Sequence, residues 1–128
     1  MPMTGLLDGW SARDGAAVAG AFAPNGVRME VAKPGARLEG RDAIAGHVKV
    51  YFDAFPDFVL EDRGVFRDGE TVTFEWTALG THSGDVPGFP ASGRSVRLTG
   101  VSVCTMDGEL IAEERVYWDS ATLYGLMD

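Results

Sequence analysis

Apolar positions recur along this chain in two periods. From Leu6 to Phe22 the spacing is helical, in one helix or two short ones. Leu6, Leu7 and Trp10 share a face, Asp14 can cap a second piece, and Ala17, Val18, Ala21 and Phe22 follow at three- and four-residue steps. Pro24-Asn25-Gly26 reads as a turn, and Val27 to Val31 alternates as a short strand that Lys33-Pro34-Gly35 breaks. Arg41 to Phe55 is an amphipathic helix with Ile44, Val48, Tyr51, Phe52 and Phe55 on one side, and Pro56 ends it. The period then becomes two. Asp57–Phe66, Thr71–His82, Ser95–Met106 and Glu109–Trp118 read as four successive strands, with Asp68-Gly69 and Asp107-Gly108 as hairpin turns. A closing helix is predicted over Ala121 to Met127, which Asp119 or Ser120 can cap.

On the strand from Thr71 the even positions Val72, Phe74, Trp76, Ala78, Gly80 and His82 form the buried face. The odd positions Thr71, Thr73, Glu75, Thr77 and Thr81 form the outer one. Val96, Leu98, Gly100, Ser102 and Cys104 share a face of the next long strand. Helices followed by hairpin-linked strands imply an α+β fold, a curved antiparallel sheet wrapped around helices packed on one face. The small inward residues Ala78, Gly80, Gly100 and Ser102 imply a sharply bent sheet or room for a ligand. The expected shape is a cone with a central pocket, formed by a single domain over residues 1–128.

Charge narrows the range of partners. Nineteen acidic residues against eleven basic ones give a net charge of −8. With two lysines, Lys33 and Lys49, and no basic run, neither nucleic acid nor an anionic membrane surface is an expected partner. No apolar run approaches a membrane span, and the start MPMTGLLDGW lacks a secretion signal's cationic opening. Cys104 is the one cysteine, so no disulfide framework exists and a cytoplasmic location fits.

Several side chains could carry chemistry. Asp119 sits at the end of the last strand, where it is either a helix N-cap or a general acid/base held in an apolar pocket. His82 ends an apolar strand face, where it could polarise a carbonyl or merely bind loop backbone. His47 reads as a boundary residue of the long helix, and Cys104 as a small core residue. Neither histidine has partners at ligand spacing, so no metal is expected. Glu114 reads as solvated and Arg115 as a cross-strand ion pair. Trp10, Tyr51, Phe55 and Trp76 supply aromatic walls, and Leu98, Gly100 and Ser102 complete the candidate ligand contacts.

The segments GRDAIAGHVKVYFDAFPDFVLE, VTFEWTALGTHSG and GRSVRLTGVSVCTMDGELIAEERVYWDSATLYGL resemble the SnoaL-like polyketide cyclases of the nuclear transport factor 2-like superfamily, over about Trp10 to Leu126. AFPDF, GTHSG and YWD occur in the family's order. The resemblance implies cofactor-free acid/base chemistry on an apolar, carbonyl-bearing small molecule, and a homodimer formed through the outer sheet face. Asp119 occupies the family's proton-transfer position. Tyr117 stands where the cyclases carry a histidine, and with His82 it would orient the substrate. The superfamily's epoxide hydrolases need an arginine and an aspartate two apart on the middle strand, where this chain has Trp76 and Ala78. A ketosteroid-isomerase-like isomerase, a non-catalytic binding protein and a filled dimerisation module are the alternatives.

Overall fold

The structure, a computed structural model, describes residues 4–32, 35–86 and 90–119. Helices α1 (Thr4–Ser11) and α2 (Gly15–Gly20) come first, then strands β1 (Phe22–Glu30) and β2 (Ala36–Glu39) and the long helix α3 (Arg41–Ala54). Four strands complete the order: β3 (Val59–Asp68), β4 (Thr71–Thr81), β5 (Ser95–Asp107) and β6 (Leu110–Trp118). The closing helix and the Ser120 cap predicted from sequence lie outside the described residues.

The helical pattern from Leu6 to Phe22 divides into two helices at Arg13, whose φ of 54° interrupts the helical backbone. Asp14 then restarts it. Its backbone is extended and its carboxylate accepts the Ala17 N–H at 3.1 Å, as its sequence position predicts. Phe22 belongs to β1 rather than to the helix. Pro24-Asn25-Gly26 is not a turn between elements but a bulge inside β1. Phe22 stands opposite Ile111 and Val27 opposite Glu113, so four intervening residues on β1 face a single one on β6. Gly26 is required there because a Cβ would come within 2.9 Å of the Ile111 carbonyl oxygen. Arg41 braces the bulge with two hydrogen bonds to the Phe22 carbonyl, at 2.9 and 2.7 Å. Strand β2, four residues that never become fully buried, is too short and too polar to show in the pattern, and it forms by pairing with β1.

The sheet runs β2-β1-β6-β5-β4-β3 and is not closed. Strands β3 to β6 are antiparallel neighbours, with the Asp-Gly turns joining β3 to β4 and β5 to β6. The expectation of a wholly antiparallel sheet is corrected at β1, which runs parallel to β6. No hairpin joins these two strands, so nothing local fixes their relative direction. The predicted register of β4 holds: Val72, Phe74 and His82 are buried and Glu75 is exposed. All three helices contribute to one apolar cluster with the sheet's inner face, including Leu6 and Trp10 of α1, Val18 of α2, and Ile44 and Val48 of α3. Cys104 sits in that cluster, where burial raises its thiol pKa well above the ordinary value and keeps it protonated.

Candidate functional site

Between α3 and the inner sheet face lies a cavity of about 90 Å³. Its walls are largely aromatic. Trp10 comes from α1, Tyr51 and Phe55 from α3, Phe74 and Trp76 from β4, and Trp118 from β6. Leu98 and Ser102 of β5 also line it, and the Ser102 hydroxyl accepts the Trp76 indole N–H at 3.1 Å.

The apolar wall is interrupted by charge. Arg28, Glu30 and Glu114 line the same cavity and are 4%, 6% and 1% exposed. Strand alternation places Arg28 and Glu30 two apart on the inner face of β1, and the parallel ladder sets Glu114 of β6 beside Arg28. The guanidinium donates to both carboxylates, through Nη1 to Glu114 Oε1 at 2.6 Å and through Nη2 to Glu30 Oε1 at 3.3 Å. Its carbon lies 5.1 Å from the centre of the Trp10 ring, a cation–π contact. The Tyr51 hydroxyl donates to Glu30 Oε2 at 2.8 Å. His47 Nε2 comes to 3.4 Å of Glu30 Oε1 without the alignment of a hydrogen bond, and its ring meets Tyr51 edge-on.

These contacts set the protonation states. Burial alone would raise the Glu30 pKa, but His47, the Arg28 charge and the Tyr51 hydroxyl outweigh it and bring the carboxyl down to about 2. Burial and then the adjacent Glu30 charge push the Tyr51 phenol far above its ordinary value. Burial works against the Arg28 charge, yet Glu114 and Glu30 overcome it and keep the guanidinium protonated. The cavity therefore presents a fixed cation, an ionised acceptor and a neutral phenol. Two buried N–H groups on its lining residues, Arg28 Nε and Trp118 Nε1, have no hydrogen-bond partner among the described residues. Among the described residues no three His, Cys, Asp or Glu side chains are grouped to hold a metal ion.

Glu114 was expected in solvent and is instead buried. The reason is a bulge: Thr105 faces Glu113 while Met106 faces Ile111, leaving Ala112 as an extra residue on β6. Past it the alternation reverses, and Glu114, Val116 and Trp118 turn inward. The same reversal corrects the placement expected for Tyr117 and Asp119. Both are exposed and line a depression on the outer face beside Glu75, Arg97 and Thr99, and neither lines the cavity. The Asp119 N–H extends the ladder by donating to the Thr99 carbonyl at 3.0 Å.

His82 is fully buried but does not line the cavity. It stacks on Phe55 with ring centres 5.2 Å apart, and its Nδ1 lies 3.1 Å from Ser92 Oγ. Its backbone bonds to Arg94 and Gly93, so the residue anchors the following loop. Gly100 leaves no room for a ligand, because the Trp76 ring covers the place its side chain would take. Arg115 pairs with Glu113 on its own strand rather than across the sheet. The acidic pair Glu30 and Glu114 and the cation Arg28 were not anticipated. The one available signal was the Arg28–Glu30 spacing of two on a short strand otherwise made of apolar positions.

An open mixed sheet holding helices over an inner cavity is the nuclear transport factor 2 and ketosteroid isomerase type of fold. A ketosteroid isomerase-like protein from Catenulispora acidiphila, solved with trimethylamine, superposes with a TM-score of 0.82 at 20% identity, over 98% of this chain and 90% of that one. A candidate SnoaL-like polyketide cyclase from Jannaschia sp. CCS1 superposes with a TM-score of 0.83 at 25% identity, over 98% and 86%. A candidate polyketide cyclase from Acidithiobacillus ferrooxidans is 27% identical with a TM-score of 0.73, over 92% and 84%. The model of the SnoaL-like polyketide cyclases matches residues 3–125, and the chain belongs to that family. No curated protein matches it. No helix among the described residues is long and apolar enough to cross a membrane.

Proposed function

We propose that the protein is a small cofactor-free enzyme that performs acid/base chemistry on an apolar, carbonyl-bearing, polyketide-like molecule bound in the inner cavity. One observation carries this reading: an aromatic cavity lined at one place by three buried charged side chains, with an N–H donor left unpartnered on one of them. A buried ion pair is seldom the most stable filling for a core, since apolar side chains of similar volume do as well or better. Its presence in a cavity wall is what a site needs when it must orient a polar group within apolar surroundings. Aromatic walls would hold the flat apolar body, and the polar cluster would meet the carbonyl. Because Asp119 and Tyr117 stand on the outer face, the proton carrier in this proposal is sought in the cavity.

The second reading, binding without chemistry, is favoured by the outward position of Asp119. A thermal-shift screen against aromatic polyketides, steroids and terpenoids, followed by product analysis of each stabilising compound, separates the two. A ligand that binds only the folded state raises the melting temperature. Stabilisation with turnover supports the enzyme, stabilisation without turnover the binding protein. No stabilisation by any class would remove both.

We also propose that two copies pair through the outer sheet face. Thr73, Val101 and Val103 lie there, with the exposed rings of Phe66, opposite Thr73, and of Tyr117, opposite Val101. Two large exposed rings beside β-branched residues suit an interface better than bulk water.

A further inference from the structure

We infer that Glu114 is the proton-carrying base of the cavity and that Arg28 Nε–H is the donor that receives the substrate's oxygen, an inference that rests on the reading proposed above. Of the acidic residues described, only Glu30 and Glu114 line the cavity. Glu30 is engaged on both oxygens, by Arg28 and His47 at Oε1 and by Tyr51 at Oε2. With its pKa near 2 it is too weak a base to remove a proton from carbon. Glu114 differs. Its Oε1 takes one hydrogen bond from Arg28 Nη1, and that is the bond its carboxylate makes among the described residues.

The two carboxylates share one guanidinium inside an apolar wall. Glu30 has both oxygens occupied, whereas Glu114 keeps one oxygen with no donor among the described residues, so Glu114 is the carboxylate open to a substrate proton. The same guanidinium holds a buried Nε–H with no partner among the described residues. A base and an unused N–H donor therefore sit within one hydrogen-bonded unit, the pairing that removal of a proton next to a carbonyl requires.

The step balances without a further reagent. Glu114 takes a proton from the carbon beside the carbonyl, breaking that C–H bond. Its electron pair forms a carbon–carbon double bond as the carbonyl π electrons move to oxygen. The resulting enolate oxygen accepts the Arg28 Nε–H hydrogen bond. Return of a proton from Glu114, at the same or another carbon, regenerates the carboxylate.

The test uses 1-indanone, a flat ketone with acidic C2 hydrogens, and needs no knowledge of the natural substrate. Binding is measured by calorimetry, and exchange of the C2 hydrogens in D₂O by proton NMR. The wild-type protein is expected to bind 1-indanone and to accelerate exchange. Glu114→Gln, which keeps an acceptor for Arg28 Nη1, is expected to bind comparably and to lose about 10²–10⁴-fold in exchange rate. Should that variant not fold, as judged by circular dichroism, Glu114→Asp retains the charge, withdraws the carboxylate by one methylene and is expected to exchange at least tenfold more slowly. Wild-type binding without accelerated exchange overturns the inference, as does exchange retained in Glu114→Gln but lost in Asp119→Asn. Absence of any binding to the cavity overturns the reading beneath it as well.

Discussion

The Trp76 indole covers Gly100 of the neighbouring strand, one directly opposite the other in the β4–β5 ladder. A Cβ at position 100 would overlap that ring and sit 2.7 Å from the backbone oxygen of Tyr117 on the other side. The ring is tethered by its hydrogen bond to Ser102, and the Tyr117 carbonyl belongs to the next strand. Neither can retreat freely. Gly100→Ala is therefore expected to destabilise the fold by about 1–3 kcal/mol through overpacking, read from the urea midpoint. Because Trp76 is also a cavity wall, the variant should bind any cavity ligand more weakly.

Arg28 pairs with two buried carboxylates at once. Replacing it by Met removes the cation and leaves both acids in the interior, an expected loss of about 3–5 kcal/mol. The triple variant with Glu30→Gln and Glu114→Gln should recover much of that stability, because no charge then remains buried. Urea unfolding of the two variants side by side checks this. Equal stability of the single and triple variants would show that the carboxylates do not depend on Arg28.

Acid should unfold the protein partly through Glu30. Its carboxyl titrates at about 2 when folded against an ordinary value of 4.5, so between these values the unfolded chain binds the extra proton. The stability it contributes is complete above about pH 5 and is lost as the pH falls from about 4.5 toward 2. Glu30→Gln should remove about one proton from the slope of stability against pH in that window. Denaturation curves of both proteins at pH 5, 4 and 3 provide the comparison.

The proposed pairing through the outer face should appear as a dimer mass in light scattering at micromolar concentration. Val101→Asp places a charge in the middle of that face without touching the cavity. It is expected to give the monomer mass while leaving the circular dichroism spectrum of the fold in place. A monomeric wild type would count against the pairing.

Much of the fold was legible because it rests on local signals. The period change from helix to strand, the Asp14 cap, the Asp-Gly turns and the β4 register are each determined within a few residues. Trp10, Tyr51 and Phe55, read from helical spacing, and Trp76, Leu98 and Ser102, read from strand alternation, all line the cavity. The charged cluster was not legible in the same way. Arg28 and Glu30 stand two apart on β1, a short strand whose alternation alone does not show which face turns inward. The third member of the cluster, Glu114, lies 86 positions beyond Arg28.

The sequence by itself determined the α+β order, the hairpin-linked strands and the inward face of the long strands. Those properties follow from periodicity and turn chemistry, in which each residue answers to near neighbours. Only the tertiary structure decided that β1 runs parallel to β6, that Trp76 fills the space over Gly100, and which way each acid of the last strand points. The extra residue at Ala112 reverses the alternation of β6. A period of two has no memory across such an insertion. One bulge, set by pairing with β1 and β5 rather than by its own sequence, carries Glu114 into the cavity and Tyr117 and Asp119 to the outer face.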